Sequence, residues 1–162
     1  MKKLPEVARR TSVRIEIDAG QGVPLTLVRR AVERKKDPEV DECWCVFDVE
    51  WPKNHPNLTE AVDLARAHDI GLAVSNPCFE LWLILHHQDY NRSADTAAVE
   101  RKSRLLDGRP GKSIDAELYI PRRKDAARRA LALATRHEKN GTVFPRDNPS
   151  SSMPALLTAL EA

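Results

Sequence analysis

Cys43-Trp-Cys-Val-Phe-Asp-Val-Glu50 and Leu72-Ala-Val-Ser-Asn-Pro-Cys-Phe-Glu-Leu-Trp-Leu-Ile-Leu-His-His87 are the two runs whose reading decides the fold. Trp44 to Val49 is mostly apolar and of strand length, the kind of strand found in the middle of a sheet covered on both faces. Ile70 to Val74 predicts the next strand. It turns at Ser75-Asn76-Pro77 into a helix from Cys78 to about His87 that is apolar on nearly every side yet carries Glu80. A carboxylate buried in such a helix costs several kcal/mol unless it is paired or bound to a cation.

Outward from these runs, strand and helix alternate. Between them a loop with Pro52, Asn54, His55 and Pro56 leads to Asn57, which suits an N-cap, and to a helix with Leu58, Ala61, Val62, Leu64 and Ala65 on one stripe. Upstream, Val13-Arg14-Ile15-Glu16-Ile17 alternates apolar and polar like a half-buried strand. Ala19-Gly20-Gln21-Gly22 breaks it, Pro24 suits a first helical turn, and the helix runs to about Lys36, before Asp37-Pro38. This order predicts an α/β fold with a mainly parallel sheet and right-handed crossovers, its functional groups gathered where strands end.

The rest is helical: Ala94 to Leu106, then about Pro121 to Glu138, then a turn region from Pro145 to Ser152 that caps a last helix through Leu160. The chain reads as one domain over 1–162, with an α/β core over 12–90 and a helical part over 91–162. Gly108 to Ser113 echoes a phosphate loop but lacks its preceding strand and its spacing.

With 41% hydrophobic and 31% charged residues, the 162-residue chain is too apolar for disorder and too polar for a membrane span. The N-terminus has no apolar signal-peptide core, and three cysteines in apolar segments suit a reducing compartment, so the cytoplasm is expected. Cys43, Cys45 and Cys78 lack zinc-site spacing and read as core thiols. The net charge of +2 hides an asymmetry. Residues 37–69 hold nine acids against two bases, and residues 101–139 hold twelve bases against five acids. An acidic centre beside a basic flank suits a metal-dependent enzyme acting on a polyanion, although solvated helix faces give the same pattern.

Asp48 and Glu50 end the first run two residues apart. If strand geometry persists, both leave one face about 6 to 7 Å apart. Such a pair wants a cation, and oxygen donors without a His or Cys cluster favour Mg²⁺ or Mn²⁺; the alternative is a solvated loop mouth. Glu80 is either a capping acid reaching back to the Ser75-Asn76 turn or a third acid of the site. His86 and His87 end the same helix, where a charged imidazole is favoured by the helix dipole, and a cap or a catalyst both fit.

Asp48-Val49-Glu50, the string Ser75-Asn-Pro-Cys-Phe-Glu-Leu-Trp82, His86 and Asn148-Pro149-Ser150 together resemble the RloB family of bacterial anti-phage proteins, from about Val13 to the C-terminus. The resemblance implies a Toprim-like core whose carboxylates bind Mg²⁺ for phosphodiester chemistry, and a role in abortive infection beside an ATPase partner. Toprim-like sites use an Asp-x-Asp pair, which Asp48 and Glu50 match with Glu at the second position. The family opens with a strand ending in a Glu-Gly turn that supplies a general acid or base. That turn has no counterpart here, and Glu16 and Asp18 lie in what resembles the family's second strand, so neither takes that role.

The expected function is therefore a Mg²⁺- or Mn²⁺-dependent nuclease or nuclease-like subunit acting on DNA or tRNA. Asp48 and Glu50 would hold the metal, with Glu80 and His86 as further catalytic groups. Ser75, Asn76, Arg122, Arg123, Arg128 and Arg129 would bind substrate. The alternative is a non-catalytic Toprim-like adaptor that binds a partner ATPase or a second copy of itself.

Overall fold

The computed structural model describes residues 14–162, and two strands and two helices in its centre set the frame. Strand β1 (Trp44–Asp48) and strand β2 (Gly71–Asn76) pair in parallel, from Trp44 opposite Gly71 to Asp48 opposite Ser75. Gly71 is required by that register. A Cβ there would run into the Trp44 ring, so a side chain at this position would displace that ring.

Helix α1 (Pro24–Arg34) starts on Pro24, whose missing N–H would be unpaired there in any case, and buries Leu25 and Val28. Helix α2 (Leu58–Ala67) crosses from β1 to β2 and buries Leu58, Ala61 and Ala65. These residues, with Cys45, Phe47, Val49 and Ile70, form one apolar cluster. Asn57 does stand at the start of α2, but in left-handed conformation (φ 58°), so its side chain makes no capping bond.

Helix α3 (Phe79–His87) follows β2 and buries Leu81 through His86 without a gap, as its uniform apolarity predicts. Helix α4 (Thr96–Asp107) is capped by Asp95, whose Oδ1 accepts from the Ala98 amide at 2.6 Å, and closes on Gly108 at φ 68°. Helix α5 (Ala116–Tyr119) and a 3-10 turn (Ile120–Arg122) precede helix α6 (Arg123–Lys139). The helix expected from Pro121 thus begins with a short capped segment, because Asp115 accepts from the Glu117 amide and Tyr119 is drawn into the core. Leu81, Trp82, Ile84, Leu85, Val99, Ala126, Ala130 and Leu133 join α3, α4 and α6 in a second apolar cluster.

Two expectations are corrected. Val13 lies outside the described residues, and Arg14 to Ile17 forms no strand. Ile17 is 74% exposed, and Glu16 is tied instead to Arg34 of α1 at 2.6 Å. Alternation makes a strand only where a sheet edge takes up its backbone bonds. The sheet is also mixed. Strand β3 (Ser150–Ser151) pairs antiparallel with the end of β2, Ser75 opposite Ser151 and Asn76 opposite Ser150, and leads into helix α7 (Met153–Glu161), which packs on β2. The observed class is α/β with a small three-stranded sheet in the order β1-β2-β3. Among the described residues no helix is long and apolar enough to cross a membrane.

Candidate functional site

Asp48 is the last residue of β1, and the sheet register sets it in a row with Ser75 and Ser151. Burial pushes its carboxyl up to about 7, the charges of Glu50 and Glu80 push the same way, and Glu100 of α4 adds to them. A hydrogen bond from the Phe79 amide, at the start of α3, pulls in the opposite direction without cancelling the rise. The charges of carboxylates just after β1, on α3 and on α4 therefore act on one half-buried acid. Among the described residues Asp48, Glu50 and Glu80 have no ion pair with a basic side chain; Glu100 reaches Arg104 only at 4.0 Å.

The geometry at Glu50 differs from a continued strand. Its backbone is left-handed, at φ 68°, and its amide donates to Pro77 O at 2.8 Å. The alternation of faces stops at Asp48, yet the fold still brings the Glu50 charge to bear on it. Glu50 Oε2 accepts a hydrogen bond from Thr96 Oγ1 at 2.7 Å. Glu80 forms no capping box, since no side chain caps the start of α3. Its charge acts on Asp48 and on the buried Cys78 thiol, which burial, first of all, raises far above the ordinary range. Burial likewise holds Cys45 up at about 11, so these two of the three free thiols stay protonated.

Ser75 and Asn76 are 2% and 1% exposed and are committed to the C-terminal segment. Ser75 Oγ bonds Ser151 Oγ at 3.2 Å, and Asn76 Nδ2 donates to Pro145 O at 2.9 Å and to Asp147 Oδ1 at 3.0 Å. Both hold the floor of the site in place and are not presented to a substrate. His86 is buried in the core. Its Nδ1 donates to Trp82 O at 2.8 Å, its ring packs edge-on against Trp82 and Tyr119, and burial, first of all, depresses it to about 4. It is a neutral core histidine.

The four arginines expected on a polyanion are engaged within the molecule. Arg122 donates to His87 Nδ1 at 2.8 Å, Arg123 to Glu161 at 3.0 Å, and Arg128 reaches Asp125 at 3.5 Å. Arg129 donates to Leu85 O at 2.6 Å, where it satisfies a carbonyl at the end of α3. A shallow cleft of about 620 Å³ beside α1, lined by Asp18, Arg29, Arg30 and Arg34 among others, contains none of the acids around Asp48.

The sequence reading missed Thr96 and Glu100. They lie one helical turn apart on α4 and face the end of β1 together, which a spacing of about fifty residues from Asp48 does not disclose. In kind and charge these carboxylates suit a hard divalent cation, which takes oxygen ligands and would offset the negative charge that adds to the effect of burial on Asp48. They are not gathered into a finished cage. Among the described residues no three His, Cys, Asp or Glu side chains come close enough together to hold an ion.

No curated protein and no solved structure matches the chain. A family model does: the one described as RloB-like protein matches residues 1–160. The chain belongs to the RloB-like family.

Proposed function

We propose that this protein is a Mg²⁺- or Mn²⁺-dependent nuclease or nuclease-like subunit of a phage-defence system, built on a Toprim-like core and acting on DNA or tRNA phosphodiesters with an ATPase partner. The observation that carries the reading is Asp48: a half-buried acid, raised to about 7, on which three other carboxylates bear and which pairs with no basic side chain among the described residues. Asp48 and Glu50 would hold the cation, with Glu80, whose charge also acts on Asp48, as a further acid. When bound, such an ion polarises a phosphate and lowers the pKa of a coordinated water. Of the chain's own parts, the Phe79 amide orients the Asp48 carboxylate, and the neighbouring end of β2 is tied by Ser75 to β3 and by Asn76 to Pro145 and Asp147. The reading does not lean on Arg122, Arg123, Arg128 or Arg129, which already have internal partners.

A second reading, a non-catalytic adaptor that binds an ATPase or a second copy of itself, is favoured by the absence of three closely gathered ligands among the described residues. Incubation with Mg²⁺ or Mn²⁺, plasmid DNA and total tRNA separates the two. The nuclease reading expects cleavage that chelator abolishes and that Asp48→Ala lowers by at least about a hundredfold, as loss of a metal-holding carboxylate should. Absence of cleavage with either metal, alone or with the partner ATPase, would leave the adaptor.

A further inference from the structure

Strand β1 is an edge of the sheet: β2 pairs with it on one side, and among the described residues no strand lies on the other. The bonds at the two ends of the ladder, from the Gly71 amide to Cys43 O at 2.9 Å and from the Val49 amide to Ser75 O at 3.0 Å, fix its phase. In a parallel pair of that phase, Cys45 and Phe47 turn both backbone groups to β2, and Trp44, Val46 and Asp48 turn theirs outward. The amides and carbonyls of these three residues therefore stand along the edge, and none makes a backbone bond to another described residue. The strand has no proline, lysine or bulge, the usual guards of an exposed edge. Its centre is Val46, 48% exposed on the face opposite Cys45 and Phe47, which lie in the cluster under α1 and α2.

Charge selects the occupant. Antiparallel pairing of two copies uses every outward group of both only when it is centred on Val46, and that register sets Glu42 of each copy level with Glu50 of the other. Like charges so placed repel. Residues 37–69 hold nine acids against two bases, so a second copy brings acid to acid, whereas a basic strand meets no such penalty. We infer that the outer edge of β1 is a docking site for an extended segment of a partner protein, paired through its main chain to Trp44, Val46 and Asp48, with a lysine or arginine facing Asp48 and an apolar residue facing Val46. Main-chain bonds supply the affinity, and the alternate side chains select the partner. Docking of this kind needs no bound metal and no cleavage of nucleic acid, so it does not depend on the nuclease reading.

Amide exchange followed by nuclear magnetic resonance on the full chain tests it, with a blocked peptide of alternating lysine and valine as the probe. In the free chain the Trp44, Val46 and Asp48 amides should exchange faster than those of Cys45 and Phe47, which face β2. Peptide at up to about 1 mM should shift and protect those amides, and the effect should fade as salt is raised. The same peptide with glutamate in place of lysine, or methylated at its backbone nitrogens, should leave them unchanged. Val46→Lys alters an exposed side chain and should weaken binding about tenfold or more, by setting like charge at the centre of the edge, with the unfolding midpoint near the parent's. Val46→Pro removes an outward N–H and should abolish binding; where that variant does not fold, Val46→Lys decides. Free-chain protection of Trp44, Val46 and Asp48 equal to that of Cys45 and Phe47 overturns the inference. So do peptide without effect on these amides, equal binding of the glutamate peptide, and parent-like binding by Val46→Lys. Protection of the same amides in a dimer of the chain alone makes a second copy the occupant and overturns it as well.

Discussion

At the scale of the residue, burial outweighs position along the chain. His86 ends a helix, where the dipole favours a charged imidazole, yet packing among Trp82 and Tyr119 removes so much water that its pKa falls to about 4. The unfolded chain binds its proton near pH 6.5, so between about 6.5 and 4 the unfolded state holds more protons than the folded one. Stability is therefore full above that window and is lost as pH falls through it, by on the order of 3 kcal/mol from this group. Replacing His86 with Leu should flatten the acid limb of the stability profile, followed by urea titration at pH 4.5 and pH 7, and should change neutral-pH stability by about 1 kcal/mol or less. A catalytic His86 would instead show as lost turnover with the acid limb intact.

At the scale of the element, the Asn-Pro-Ser segment acts as a strap. Asn148 bonds both ways to the backbone of Ala94, Ser152 Oγ accepts from the Val74 amide at 2.8 Å, and His137 Nε2 donates to Pro149 O at 2.8 Å. One short segment, residues 148–152, thus ties together β2, the start of α4 and α6. Asn148→Ala leaves Ala94 without either bond and should cost about 1 to 3 kcal/mol in chemical denaturation. Its amide-exchange changes should centre on residues 94–98 and 145–152 and spare α1, where the strap makes no contact of this kind. Uniform loss of protection across the chain would contradict the strap.

At the scale of the molecule, two apolar clusters share the small sheet, one under α1 and α2 and one between α3, α4 and α6. Ile84 is fully buried in the second. Truncation of Ile84 to Ala should cost about 2 to 5 kcal/mol. Because α3 and α7 pack on β2 while β1 belongs to the first cluster, both near-ultraviolet and far-ultraviolet signals should shift together in one transition. Two separated transitions would show that the clusters unfold independently.

The local elements were largely legible in the sequence, because their signals are local. Apolar runs of strand length, Pro24 at a helix start and the unbroken apolarity of residues 81 to 85 each state a preference that neighbouring residues satisfy. Asp48, Glu50 and Glu80 could be singled out as well, since a carboxylate at the end of an apolar run or inside one has few ways to be stable. Several features depended on tertiary structure. Thr96 and Glu100 join the acids only when α4 folds back over β1, and Ser150-Ser151 becomes a strand only because β2 has an edge for it. The arginines of α6 find partners at the end of α3 and on α7, and Arg14 to Ile17 finds no edge at all. Backbone edges, buried charge and left-handed turns are settled by what comes near in space, and a linear order of residues carries no record of that distance.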